Sequence, residues 1–260
     1  MLGLILNETE IVNKTIEGSL KLPSNSAKII RIIIKKLILE NKTDLEIENK
    51  VFECLNNTYK NNYNKNYWSK TIKSIIKDLK KKNIKMIDIN NINIYKEELE
   101  IIKSLNDIKT EKVAFTLLIY AKINEIVNPV SSGKINIPLT NILKESLFNL
   151  RKENKLLLSK LYNLQYIKQN NTCNVTQLQI NYLKKEGEIE LIIDDLRDYQ
   201  PITWYLEYRQ GIKYKKCEKC GKRFEVKGKN NLFCINCSKK NRLEKMKKYN
   251  KDNYDKNKNS

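Results

Sequence analysis

Histidine is absent from all 260 residues. That removes the Ser-His-Asp triad, the His-containing zinc protease site, HNH-type nuclease chemistry and any imidazole general base. Glycine is scarce, with seven residues, so little material exists for Gly-rich cofactor loops. Ser131-Ser-Gly-Lys134 lacks the first glycine and the following Ser/Thr of a phosphate loop. Long apolar runs are missing too. The most apolar stretch, Ile29–Leu39, is broken by Arg31, Lys35 and Lys36, whereas a membrane span needs about 20 apolar residues. Met1-Leu-Gly-Leu-Ile-Leu6 runs at once into Asn7-Glu-Thr-Glu10 and is too short for a secretory signal. A cytoplasmic protein with reduced thiols and no membrane partner is expected.

What the chain has in excess is positive charge: 50 Lys+Arg against 30 Asp+Glu, a formal +20. Charge of that size speaks to partners rather than to fold, and nucleic acid is the default polyanion. Lys, Asn and Ile are heavily used, and A/T-only codons can account for part of the lysine. The distribution argues for more. Residues 211–260 hold 17 Lys+Arg and 5 Asp+Glu, so a fifth of the chain carries more than half of the net charge.

The N-terminal third reads as mostly helical over 1–108. Alternation in residues 1–23 suggests a hairpin. Ser26 is placed to cap a helix Ala27–Glu40, and Thr43-Asp-Leu-Glu46 fits a capping box opening a helix Asp44–Leu55. Asn56–Asn66 reads as a loop. Trp68, Ile72, Ile75, Ile76 and Leu79 then line one face of a helix ending near Lys82, with Lys70, Lys73, Lys77, Lys80 and Lys81 on the other. Ile84–Ile94 reads as a short strand or linker, and Lys96–Leu105 as a helix.

Over 109–200 the pattern is helix, helix, helix, then two strands. Thr110 is placed to cap an almost wholly apolar helix Glu111–Ile126. Helices over Asn141–Asn149 and Lys152–Leu164 follow, the last carrying Leu156, Leu157, Leu158, Leu161 and Tyr162. Gln177–Leu183 and Glu188–Ile193 alternate as strands around a turn at Lys184-Lys-Glu-Gly187, where Gly187 suits positive φ. That order is the order of a winged helix-turn-helix, whose third helix enters the DNA major groove and whose hairpin touches the backbone. The candidate contacts are Arg151, Lys152, Asn154, Lys155 and Lys160 on the third helix, with Lys184 and Lys185 at the wing tip. A small α+β domain without a DNA role has the same order.

Six cysteines are present, four of them in two close pairs. Cys217-Glu-Lys-Cys220-Gly221 is followed thirteen residues after Cys220 by Cys234-Ile-Asn-Cys237. Two C-x₂-C turns at this separation supply four thiolates to a tetrahedral structural Zn²⁺, with no open position for catalysis. Gly221 sits where positive φ helps the turn. Arg223–Val226 and Asn231–Cys234 suggest a hairpin through Gly228, with Phe224 and Phe233 covering the site. The pattern C-x-x-C-G-x-x-F, then C-x-x-C and basic residues, resembles the short zinc ribbons of many bacterial and phage proteins across about residues 212–240. The wider layout, from Asn66-Tyr67-Trp68 through Val113-Ala-Phe-Thr-Leu-Leu118 to the ribbon, is similar to uncharacterised proteins of phages and mobile elements of low-GC Gram-positive bacteria. That resemblance implies a phage or prophage setting in a bacterial host cell and assigns no activity and no catalytic residues.

Catalytic candidates are few. Asp194, Asp195 and Asp198 cluster but have no distant carboxylate partner. Cys54 reads as core, and Cys173 as a loop residue with no base beside it. Trp204 and Tyr205 suit either base stacking or packing of a short helix. The expected protein is mainly α with small β elements: the helical region 1–108, a winged-helix-like domain 109–200, a linker 201–211, a four-cysteine zinc ribbon 212–238 and a basic, largely disordered tail 239–260. It is expected to be a non-enzymatic DNA-binding regulator of transcription or replication, duplex DNA being favoured over RNA. Lys222, Arg223, Lys239, Lys240 and Arg242 add contacts from the ribbon, and a polymerase or replication protein is a further partner. The alternatives are an RNA-binding protein, a module that inhibits a host complex, and a metal-dependent nuclease using the three aspartates.

Overall fold

A computed structural model describes residues 7–22, 26–172, 175–194, 200–228 and 231–258. It is mainly helical, with small antiparallel sheets. The chain divides into two units between Asn90 and Asn91.

The first unit is built from α1 (Glu8–Ile16), α2 (Ala27–Leu39), α3 (Asp44–Tyr59) and α4 (Lys65–Lys80). Val12, Ile30, Ile33, Ile34, Ile47, Val51, Leu55 and Ile72 form its core. Where alternation in the first 23 residues suggested a hairpin, the described part is helix α1 followed by turn and irregular chain to Leu22. Its buried face is Glu8, Val12 and Thr15, at helical spacing. Glu8 misleads a hydropathy reading because it is buried with a partner: Lys35 donates to its carboxylate at 2.5 Å, and the Ile87 N–H at 2.8 Å. The capping box at Thr43 and Glu46 forms as expected. Helix α3 runs on to Tyr59, through residues expected to be loop, and Lys60 ends it in the left-handed region.

The second unit follows the order β1 (Ile92–Tyr95), α5 (Lys96–Lys103), α6 (Ile108–Val127), β2 (Lys134–Asn136), α7 (Leu139–Glu145), α8 (Lys152–Asn163), β3 (Ile167–Thr172), β4 (Val175–Ile180) and β5 (Ile189–Ile193). Then come α9 (Ile202–Gln210), β6 (Tyr214–Lys216), β7 (Arg223–Glu225) and α10 (Ile235–Lys258). Helix α6 is the spine, buried from Val113 through Ile123 without a break. Asp107, not Thr110, caps it, accepting from the Lys109 N–H and the Thr110 hydroxyl.

The strand pairing corrects the expected hairpin. Strands β4 and β5 do not pair with each other. β4 lies between β2 and β3, in the order β2-β4-β3, and β5 pairs antiparallel with β1. The reason lies in the segment between them, which is tied down onto α5 and α6. The Tyr182 hydroxyl donates to Ala114 O at 2.7 Å, and the Lys184 N–H to Glu98 at 2.8 Å. The Tyr95 hydroxyl donates to Lys185 O at 3.0 Å. Gly187 has φ +155°, and a Cβ there would lie 3.3 Å from Cβ of Tyr95. Lys184 and Lys185 therefore sit beside α5 rather than at a wing tip. The hairpin that does form is β3–β4. Its turn, with Cys173, lies outside the described residues, as do Asp195 and Asp198.

Candidate metal centre and basic helices

The first cysteine knuckle is held between β6 and β7, which pair Tyr214 with Glu225 and Lys216 with Arg223. The expected pairing of Arg223–Val226 with Asn231–Cys234 is not the one adopted. The second knuckle instead leads straight into α10, with the Ser238 N–H donating to Cys234 O at 2.9 Å. Across the first knuckle, the Cys217 N–H donates to Lys222 O at 2.9 Å and the Gly221 N–H to Cys217 O at 2.8 Å. Gly221 takes φ +72°, the left-handed conformation that closes this turn without a Cβ penalty.

The geometry gathers four sulfurs. The Sγ atoms of Cys217, Cys220, Cys234 and Cys237 all lie within 4.8 Å of one another, and Cys220 and Cys234 are 3.7 Å apart. A tetrahedral tetrathiolate with metal–sulfur bonds of about 2.3 Å has sulfur–sulfur edges of about 3.8 Å. The donor set therefore fits one thiophilic ion. Without an ion the thiols are split. Burial works against ionisation of Cys217, but the backbone N–H groups of Cys234, Cys220 and Lys219 outweigh it and bring the thiol down to about 6. Hydrogen bonding with the Cys220 sulfur, then burial, push Cys237 up to about 12. Four thiolates this close need a cation between them, and a bound ion would lower all four together.

The β6–β7 pair that holds the first knuckle is mounted on α9. The Arg223 guanidinium lies 3.9 Å from the centre of the Trp204 ring and pairs with Glu207. The Tyr214 N–H donates to the same carboxylate at 3.5 Å. Helix α9 is in turn locked onto α6. Tyr205 stacks on Phe115 with ring centres 4.7 Å apart, and its hydroxyl donates to Glu111 at 2.7 Å. Arg209 donates to Glu111 at 3.1 Å. Burial, then the Glu111 carboxylate, hold the Tyr205 hydroxyl un-ionised, far above its ordinary range. At this junction Trp204 and Tyr205 are buried packing residues, and the Arg223 side chain, 11% exposed, is engaged by Trp204 and Glu207.

The remaining basic candidates fall into three groups. Arg151 occupies the N-cap position of α8 without a side-chain capping bond, and it is exposed, as are Lys152, Lys155 and Lys160 along the helix. Lys160 is engaged by Asp107 at 3.1 Å, and Asn154 donates back to Asn149 O at 2.9 Å. Lys184 pairs with Glu97 at 2.8 Å, while Lys185 is exposed. Lys222, beside the first knuckle, and Lys239, Lys240 and Arg242, on α10, are exposed. Of the five apolar residues expected along this helix, Leu156, Leu157, Leu158, Leu161 and Tyr162, only Leu161 is buried. Leu156 is 60% and Tyr162 53% exposed. Lys152, Lys155, Leu156 and Ser159 thus share one outward face. Strand β2 was missed because three residues, Lys134–Asn136, are too few to show alternation.

No family model, curated protein or solved structure matches the chain. Among the described residues no helix is long and apolar enough to cross a membrane.

Proposed function

We propose that this is a DNA-binding protein in which residues 108–180 form a winged helix-turn-helix and residues 212–238 a structural Zn²⁺ ribbon. The observation that carries the reading is the order α6-β2-α7-α8-β3-β4 with strand order β2-β4-β3. It leaves the third helix of the set, α8, with an open face bearing Lys152, Lys155 and Ser159. In this reading α8 lies in the major groove and the β3–β4 hairpin is the wing, with Lys168 exposed on it. Zn²⁺ on Cys217, Cys220, Cys234 and Cys237 supplies folding energy to a unit too small for its own core. It does no chemistry. The resemblance of the chain's layout supports a phage or mobile-element setting, and regulation of transcription or replication is the role proposed for it there.

The test is anisotropy of a labelled mixed-sequence DNA duplex over a salt series, beside a single-stranded RNA of equal length. Lys152→Gln with Lys155→Gln should weaken duplex binding and flatten its salt dependence by about two units of log–log slope, at roughly 0.9 per phosphate contact. Duplex affinity unchanged by that pair sinks the reading, and preference for the RNA replaces it with RNA binding. A second reading, a protein-contact module, is favoured by the exposed Leu150, Leu156 and Leu164 around α8. It predicts weak binding to both nucleic acids.

A further inference from the structure

Helix α10 has features that the reading above does not use. It runs 24 residues from Ile235 to Lys258, and among the described residues no other element packs along it. Every side chain from Arg242 to Asn250 is exposed. Its anchorage is at one end, where Cys234 and Cys237 begin it and Lys219 donates to Asn241 at 2.6 Å and Glu244 at 3.2 Å. Between Ile235 and Asn250 it carries six basic residues and one acid. An unpacked helix is marginal in water, and like charges along it add repulsion.

The placement of those charges is the informative part. At about 100° per residue, Lys239, Arg242 and Lys245 fall on one side of the helix, while Lys240, Lys247 and Lys248 fall on the opposite side. A helix resting on a flat acidic surface, or along one nucleic-acid strand, needs cations on one side. A helix between two walls of phosphate needs them on both. The B-form major groove is about 12 Å wide, and a helix with its side chains is about 10–12 Å across. The helix's length, about 36 Å at 1.5 Å per residue, spans roughly one duplex turn. Leu243 lies between the two basic sides and Met246 within the first, beside Lys239 and Arg242; both are exposed and apolar, suited to thymine methyl groups, while Glu244 falls among the second set of cations.

From this we infer that α10 is a second groove-binding helix, inserted in the major groove of duplex DNA with phosphate contacts on both sides and the metal centre fixing its root. Self-association is disfavoured, since it would set one strongly basic helix against another. The inference rests on the DNA-binding reading but uses different residues, so the two can fail separately.

The experiment uses full-length, metal-loaded protein and a 30-base-pair mixed-sequence duplex, with affinity read by anisotropy over a salt series. Two triple variants are compared: Lys239→Gln/Arg242→Gln/Lys245→Gln and Lys240→Gln/Lys247→Gln/Lys248→Gln. Glutamine keeps helix propensity, and circular dichroism with metal content confirms that both variants are folded. Each triple should lower the log–log salt slope by about two to three units, at roughly 0.9 per phosphate lost. A change confined to one triple overturns groove insertion, and so does no change in either. If both triples weaken binding to poly-glutamate and leave duplex binding intact, the partner is an acidic protein and the inference fails. The α8 pair Lys152→Gln/Lys155→Gln, run alongside, separates the outcomes. Loss with the triples alone removes α8 from the interface and keeps α10, while loss with the α8 pair alone does the reverse.

Discussion

Replacing Lys122 with methionine should cost the second unit about 3–5 kcal/mol, the usual penalty for breaking a buried ion pair from one side. Lys122 on α6 reaches Glu98 on α5 at 2.9 Å, and the two side chains are 9% and 0% exposed. Methionine refills most of the alkyl volume, so the loss is electrostatic. Glu98 would keep two donors, the Tyr95 N–H at 2.9 Å and the Lys184 N–H at 2.8 Å, but lose its direct ion-pair partner. Burial already pushes its carboxyl above the ordinary carboxylate range, against the pull of the Tyr95 N–H and of Lys122. Without Lys122 it rises further. A carboxyl whose folded value lies above its unfolded one binds its proton more tightly when folded. The Lys122→Met deficit is therefore full near neutral pH and shrinks as pH falls through the raised Glu98 value. The assay is urea unfolding in a Trp68→Phe background, which leaves Trp204, buried on α9, as the single tryptophan reporter of the second unit. Adding Glu98→Gln should recover most of the loss, because both charges then go together. A deficit below about 1 kcal/mol, or one independent of pH, refutes the argument.

Three further outcomes test other parts of the structure. Cobalt(II) titrated into metal-free protein should give the intense thiolate charge-transfer bands and visible spectrum of a tetrahedral tetrathiolate site at one ion per chain, and Cys220→Ser should reduce both. Arg223→Ala should strip the cation from the Trp204 face and leave Glu207 without its guanidinium partner. Acrylamide quenching of Trp204 should increase, with a stability loss of about 1–3 kcal/mol; unchanged quenching would show that the ribbon is mounted some other way. Gly187→Ala places a Cβ 3.3 Å from Tyr95 at φ +155°. It should destabilise the β1–β5 pairing by about 1–3 kcal/mol, seen as faster amide exchange across Ile92–Tyr95.

Local rules were enough for the central helices and for the four-cysteine cluster. Thr43 and Glu46 announce their capping box within four residues, the apolar run over α6 has no alternative to a central core position, and two C-x₂-C turns carry their own geometry. Pairing and burial were another matter, because they depend on residues far apart in the chain. Lys184-Lys-Glu-Gly187 looks like a hairpin turn until Glu98, 86 residues away, takes the Lys184 N–H and β1 takes β5. Arg223 looks like a phosphate ligand until Trp204 and Glu207 enclose it. Helix α10 carries on to Lys258, where composition suggested an unstructured tail. It has no Gly or Pro to stop it, and the second knuckle starts its first turn. Charge and periodicity in one segment show what a side chain can do; which face is open, and which cation is already spoken for, is decided by the partners that folding brings to it.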